Sequence, residues 1–331
     1  MSQKKPNNLL NFLIRVSLSV ALLWYLFTKI DLEKTVDILK TADITYIILA
    51  AGIFLGINWI ILFRWYIFIK ALDLSASFFQ AARFFFIGLF GNLFLPSAIG
   101  GDIIKIVGLC KNSSQKPRVV ASVLLDRLSG FASIVIVSVC SFVFGYKYIQ
   151  EPSLLLPIGV MAVVSFGFGG FLFNEKWYSF GCRIFNSFPK LKQSLMNLHY
   201  DVMLLNDKRM EGYKAIALSA LSQIILAFIY FLTAKALHQD IPLIYFLIFV
   251  PIICVASSFP SIGGLGVREA GAAFLFTKVG VSTEIAVSLS LINFLFMVLA
   301  GLIGGGIYVV TLSSGRIQHH SSDAGANPKE T

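Results

Sequence analysis

Ionisable residues stand at two places where an otherwise apolar chain offers them little water. Asp102 and Lys105 follow Gly100-Gly101, and Arg268 and Glu269 follow Gly263-Gly264-Leu265-Gly266. A further pair, Asp126-Arg127, opens a long apolar run. A charge at the centre of a bilayer costs about 2.5–3.5 kcal/mol on insertion scales, so such groups are paired, hydrated or close to an interface. Arginine grips phosphate through two parallel N–H bonds, and lysine adds a compact positive charge. Arg268, Lys105 and Arg127 therefore suit a phosphate-bearing headgroup, which Asp102, Asp126 and Glu269 can orient. These acids equally suit a cationic headgroup. A plainer reading makes Asp126-Arg127 and Arg268-Glu269 interfacial pairs that only tune helix depth.

Both glycine pairs follow a proline, in Phe94-Leu95-Pro96-Ser97-Ala98-Ile99-Gly100-Gly101-Asp102 and in Phe259-Pro260-Ser261-Ile262-Gly263-Gly264-Leu265. Proline removes a backbone donor and paired glycines loosen a helix, so each apolar stretch should break there. The helix restarting after a break presents free N–H groups and a positive dipole end, which favour anions. The candidate binding set is therefore Pro96, Gly100, Gly101, Asp102, Lys105, Asp126, Arg127, Pro260, Gly263, Gly264, Gly266, Arg268 and Glu269, with no catalytic residue assigned.

Other chemistries lack their residues. Cys110, Cys140, Cys182 and Cys254 show no CxxC spacing, and His199, His238, His319 and His320 form no ligand pattern, so neither a metal nor a cofactor is expected. The sequence contains no phosphate-binding GxxxxGK[ST] loop, dinucleotide fingerprint or GxSxG elbow.

The surroundings of these residues follow from composition. Of 331 residues, 57% are hydrophobic and 13% charged, with 31 Phe and a mean hydropathy of +0.80. A soluble domain carries roughly a quarter charged residues. The expected class is an all-α polytopic membrane bundle. The net charge of +10 lies in short loops between apolar runs, where it reads as topology and attraction to anionic lipid rather than nucleic-acid binding.

Six runs are long enough to span a bilayer: Leu9–Phe27, Ile44–Phe63, Leu128–Ile149, Ser153–Phe173, Ala215–Leu237 and Ile285–Leu312. The stretches Phe78–Leu109 and Leu243–Val279 are the broken ones. Cations crowd the loops after the second span, before the third and between the fourth and fifth, which places those loops and both termini in the cytoplasm. Six spans satisfy that placement only if the stretch around Pro96 enters and leaves on the cytoplasmic side and the one around Pro260 does so outside. Eight full crossings also restore the orientation of the tail, but they put the basic 174–214 loop outside. The expected layout is a cytoplasmic N-terminus (1–8), one membrane domain (9–312) with an amphipathic inner-leaflet segment (174–214), and a disordered tail (313–331). Arg64 and Arg83 read as interface anchors, and Trp24, Trp59, Trp65 and Trp177 as belt residues. The Phe84-Phe85-Phe86 run reads as lipid-facing bulk.

The two breaks echo each other: aromatic, proline, serine, isoleucine, then a glycine pair. Interrupted segments at matching places in two halves point to a transporter's substrate site, and here the proposed topology inverts the halves. An inverted repeat with two oppositely directed re-entrant hairpins is the expectation.

Asn92 to Asp102, then Ala121-Ser122-Val123-Leu124-Leu125-Asp126-Arg127, then Pro260 to Glu269 resemble three signature stretches of the lysylphosphatidylglycerol synthase transmembrane-region family, also called flippase-like. The resemblance spans about residues 9–312. Ser97 and Ala98 depart from it, standing where relatives often carry glycine. In two-domain members this region is associated with moving aminoacylated phosphatidylglycerol between leaflets, and a soluble domain makes that lipid. A member without that soluble domain is the expectation here, so the resemblance implies the membrane step and not lysyl transfer. It implies a protein of the cell (inner) membrane that translocates an anionic or aminoacylated phospholipid or a polyprenyl-phosphate-linked lipid. A separate synthase or glycosyltransferase is a possible partner. Two other readings stay open: a membrane enzyme or subunit of lipid headgroup modification, with Asp102 or Asp126 as acid–base group, and a non-catalytic scaffold.

Overall fold

Long apolar runs can satisfy their backbone groups in lipid only as helices, and helices are what the chain forms. The computed structural model describes residues 32–94, 100–111, 115–145, 208–257 and 264–324, together with Gly159 and Val163. Among them are nine helices and no strand: α1 (Leu32–Lys40), α2 (Ile44–Ala71), α3 (Phe78–Phe94), α4 (Gly100–Cys110), α5 (Lys116–Gly145), α6 (Arg209–Ala236), α7 (Leu243–Ala256), α8 (Val267–Thr277) and α9 (Thr283–Ala324). The protein is a polytopic helical membrane bundle.

Four of the six expected spans appear as α2, α5, α6 and the Thr283–Thr311 part of α9. All four begin earlier or end later than the apolar runs suggested, because helix continues through flanking polar and charged residues. Thus α2 runs on to Ala71, α5 starts at Lys116 and α6 starts at Arg209. The expected span Leu9–Phe27, all of Ser153–Phe173 except Gly159 and Val163, the N-terminus 1–8 and most of segment 174–214 lie outside the described residues.

The described halves keep step. One sequence separation carries Ile44 to Arg209, Ala71 to Ala236 and Phe78 to Leu243; a separation two longer carries Cys110 to Thr277 and Lys116 to Thr283. Each half is a span, a broken pair of short helices, and a span. The match extends to the caps. Asp73 and His238, at the first of these separations, are the two non-glycine residues with positive φ among those described, 55° and 57°. Asp73 N–H donates to Lys70 O and Leu74 N–H to Ile69 O; His238 N–H donates to Lys235 O and Gln239 N–H to Ala234 O. Each helix therefore closes on the same left-handed cap.

The halves are inverted. Asp43 N–H donates to Ala236 O at 2.8 Å, so the start of α2 meets the end of α6. At the other end, Lys208 Nζ donates to Ala71 O at 2.8 Å and Asp73 Oδ1 at 2.7 Å, so the end of α2 meets the start of α6. Arg118 on α5 reaches Leu72 O at 3.5 Å, and Tyr66 packs on Phe78 with ring centroids 5.3 Å apart. The base of α3–α4 is therefore at the Lys208 end. Phe246 and Phe276, 5.2 Å apart, place the base of α7–α8 at the Asp43 end.

Each broken pair is an antiparallel hairpin. Gly88 meets Gly101 near the first break while Phe84 meets Gly108 further out. Gly264 meets Ser257 near the second break, Gly271 meets Ile253 beyond it, and Phe249 meets Phe276 further still. The 11-residue α4 and α8 are about 16 Å long, half the roughly 30 Å hydrocarbon thickness, so neither crosses alone. Glycines on α9 let the first hairpin sit close: a Cβ on Gly304 would overlap the Phe86 carbonyl oxygen, and one on Gly301 the Leu93 side chain.

Candidate functional site

Of the candidate residues, Pro96, Pro260 and Gly263 lie outside the described residues. The remaining ten fall at the two hairpin tips and on α5, which packs against the first tip.

At the first tip, Gly101 N–H donates to Asn92 Oδ1 at 2.7 Å. Asp102, in the first turn of α4 where a negative charge is favoured, faces Lys105 Nζ at 3.3 Å and accepts from Arg127 Nε at 2.5 Å. Lys105 Nζ also lies 3.6 Å from Asp126 Oδ2. Asp126 Oδ1 accepts from Arg64 Nε at 2.7 Å, and Arg64 Nη1 donates to Ser219 Oγ at 3.0 Å. Ser219 in turn donates to Ser129 Oγ at 3.3 Å. Four elements thus build one network of three cations and two carboxylates. Lys105 also stands over the rings of Trp65 and Phe85, 5.0 and 5.1 Å from their centroids. The Arg127 side chain is 36% exposed against 3% for Asp126, so Arg127 is the most exposed member of the network.

At the second tip, Glu269 is fully buried. Its Oε2 accepts from Gly266 N–H at 2.7 Å, and its Oε1 accepts from Arg268 Nη2 at 2.7 Å and from Ser290 Oγ at 3.1 Å. Arg268 Nε also donates to Ser290 Oγ at 3.1 Å, and the guanidinium stacks 4.9 Å from the Phe294 ring centroid. Gly266, at φ 85°, makes the turn that brings its N–H onto Glu269. In both tips a helix-start N–H is occupied by a side-chain oxygen, so these donors are less free for an anion than the breaks alone implied.

Several sequence expectations change. Arg64 is not an interface anchor: α2 continues past Phe63, and Arg64 is 8% exposed and paired with Asp126. Asp126 lies about ten residues, roughly 15 Å, inside α5 rather than at its mouth. Trp65 is fully buried and donates to Ser122 Oγ at 3.3 Å, so it is no belt residue, whereas Trp59 is 54% exposed. Phe85 and Phe86 are buried and not lipid-facing bulk. An arginine seven residues before the end of an apolar helix was the available signal for Arg64; Ser129, Ser219 and Ser290 gave none.

An inverted pair of span–hairpin–span units with buried charge at each hairpin tip defines a class of polytopic membrane protein built around a polar centre. The model of the lysylphosphatidylglycerol synthase TM region matches residues 12–305, and the chain belongs to that family. A curated relative, the UPF0104 membrane protein PH1989 of Pyrococcus horikoshii, is 25% identical over 325 residues, covering 90% of this chain and 95% of the relative. No solved structure matches.

Proposed function

We propose that the protein moves a lipid with an anionic headgroup between leaflets of the cell membrane, the headgroup passing the polar centre while the acyl chains stay in lipid. One observation carries this reading. The buried network at the first tip holds Arg64, Lys105 and Arg127 against Asp102 and Asp126. That leaves one positive charge, which a phosphodiester monoanion neutralises. An uncompensated charge in lipid is expensive, so a site of this balance favours an anionic guest. Arg127 receives the phosphate, Lys105 follows it, and Asp102 holds both cations while the site is empty. The second tip, with Arg268 and Glu269 balanced, serves the opposite half.

Charge at the two ends supports the orientation. Around the base of the first hairpin lie Lys70, Arg83, Lys111, Lys116, Arg118, Lys208, Arg209 and Lys214 against Asp73 and Glu211. Around the base of the second lie Lys34, Lys40, Lys235 and Lys278 against Glu33, Asp37, Asp43, Asp240 and Glu284. The positive-inside rule makes the first end cytoplasmic. The lipid is an anionic or aminoacylated phospholipid or a polyprenyl-phosphate-linked lipid, and a separate synthase or glycosyltransferase would supply or consume it.

The test is reconstitution into vesicles with headgroup-labelled phosphatidylglycerol, following leaflet accessibility to a membrane-impermeant quencher. Wild-type protein equilibrates the label faster than protein-free vesicles, and Arg127→Gln and Arg268→Gln reduce the rate at least tenfold while eluting as folded protein. Equal rates for wild type and both variants overturn the assignment.

A further inference from the structure

We propose that a proton-conducting chain of buried waters runs along one face of α6 and joins the two charged clusters. Ser219, Gln223, Tyr230 and Thr233 recur at intervals that keep them on one side of the helix, interrupted by Leu226, and span about 21 Å along it. The upper and lower ends of this stripe are tied in by hydrogen bonds. Ser219 accepts from Arg64, which holds Asp126. Thr233 Oγ1 accepts from Asn293 Nδ2 at 3.4 Å, and Asn293 lies one turn beyond Ser290, which donates to Glu269. Tyr230, 4% exposed, lies within electrostatic reach of both Arg268 and Glu269.

Two side-chain oxygens are buried without a hydrogen-bond partner, Gln223 Oε1 between these ends and Asn293 Oδ1 at the lower one. Asn293 is only 4% exposed. Its orientation is set, because Nδ2 donates to Leu289 O at 2.9 Å and a flipped amide would face oxygen to oxygen. A buried acceptor left without a donor loses the hydrogen bonds that water would have given it. Lipid cannot supply donors, whereas a buried water makes about three hydrogen bonds to such groups. Asn293 also stands, at the longer repeat separation, where the first half has Asp126. The second half thus keeps a polar atom where the first keeps a carboxylate. Along the chain each water accepts a proton on one side and passes one on at the other, so no bond is gained or lost overall. The chain ends at the Arg64–Asp126 pair on one side and at the Arg268–Glu269 pair on the other. This inference does not depend on which lipid moves, or on whether one does.

Two measurements on the full chain test it. In lipid nanodiscs, hydroxyl-radical footprinting by a short X-ray pulse oxidises a buried side chain only where water touches it. Tyr230 should be modified several-fold more than the fully buried Phe246 and Phe249 after correction for intrinsic reactivity, and Gln223→Leu and Asn293→Leu should each remove that excess. In vesicles holding a trapped pH dye under a clamped potential, wild-type protein should dissipate a pH difference faster than protein-free vesicles, and both variants should return the rate to background. Tyr230 labelling no higher than that of Phe246, wild-type proton flux at background, or unchanged behaviour of both variants overturns the proposal. If the leucine variants fail to fold, the wild-type labelling ratio and flux decide it. Lipid movement is read separately, so failure of either idea leaves the other intact.

Discussion

Arg64 and Asp126, on different helices and 62 residues apart, meet at 2.7 Å inside the bundle. Neither is more than 8% exposed, so each is the counter-ion that makes the other tolerable in a membrane interior.

Removing one partner is therefore worse than removing both. Asp126→Ala strands Arg64 and loosens Lys105, and is expected to lower stability by about 3–5 kcal/mol, the usual penalty for an uncompensated buried charge. Arg64→Met combined with Asp126→Leu should recover most of that loss, since Lys105 keeps Asp102. Thermal unfolding of the three proteins in one detergent checks the order.

Gly304 is the point where α9 touches the first hairpin backbone to backbone. Gly304→Val drives a side chain into the Phe86 carbonyl, which cannot rotate away. A loss at or above the ~1–3 kcal/mol typical of overpacking is expected. Gly306, with nothing within 4 Å of a built Cβ, is the control; Gly306→Val should change stability by less than ~0.5 kcal/mol. Comparing their melting curves tests whether the α3–α9 contact is as close as described.

Asp73 is held below its ordinary pKa of 3.8, chiefly by its hydrogen bond to Lys208 and then by that ammonium's charge. A depressed carboxylate stabilises the fold above its unfolded pKa, and that stability is lost as pH falls through the folded one. Asp73→Asn keeps a residue tolerant of positive φ. It should melt below wild type near neutral pH, with the difference shrinking once pH drops below about 3.8. A gap of constant size from pH 7 to pH 3 would show that the pair does not link α2 to α6.

Topology offers a fourth test. In a cysteine-free background, cysteines placed at Lys116 and Lys208 should react with an impermeant thiol reagent from one side of the membrane. Cysteines at Asp43 and Asp240 should react from the other. Labelling of positions 116 and 208 from opposite sides would break the inverted arrangement and the orientation built on it.

How much was legible beforehand depends on the range over which each feature is decided. Membrane class, the positions of α2, α5, α6 and α9, and the breaks after Phe94 and Ala256 depend on local composition, because about 20 apolar residues suffice for a span and Pro with Gly suffices to stop one. The matching tips were visible for the same reason. Helix ends were less so: once a helix is anchored at both ends by packing, charged residues such as Arg64 and Lys116 continue it where hydropathy suggests a boundary.

By itself, then, the amino-acid order determined that the chain lives in lipid, where it bends back, and which charges sit at the bends. Only the tertiary structure decided which cation serves which carboxylate. Arg64 joins Asp126 and Arg127 joins Asp102 through contacts between separate helices, and Ser219 and Ser290 complete the sites from helices whose sequence marks neither residue. Hydropathy is a sum over neighbours in sequence. Charge compensation in a low-dielectric interior is a matter of distances of about 3 Å between groups that the chain itself keeps far apart.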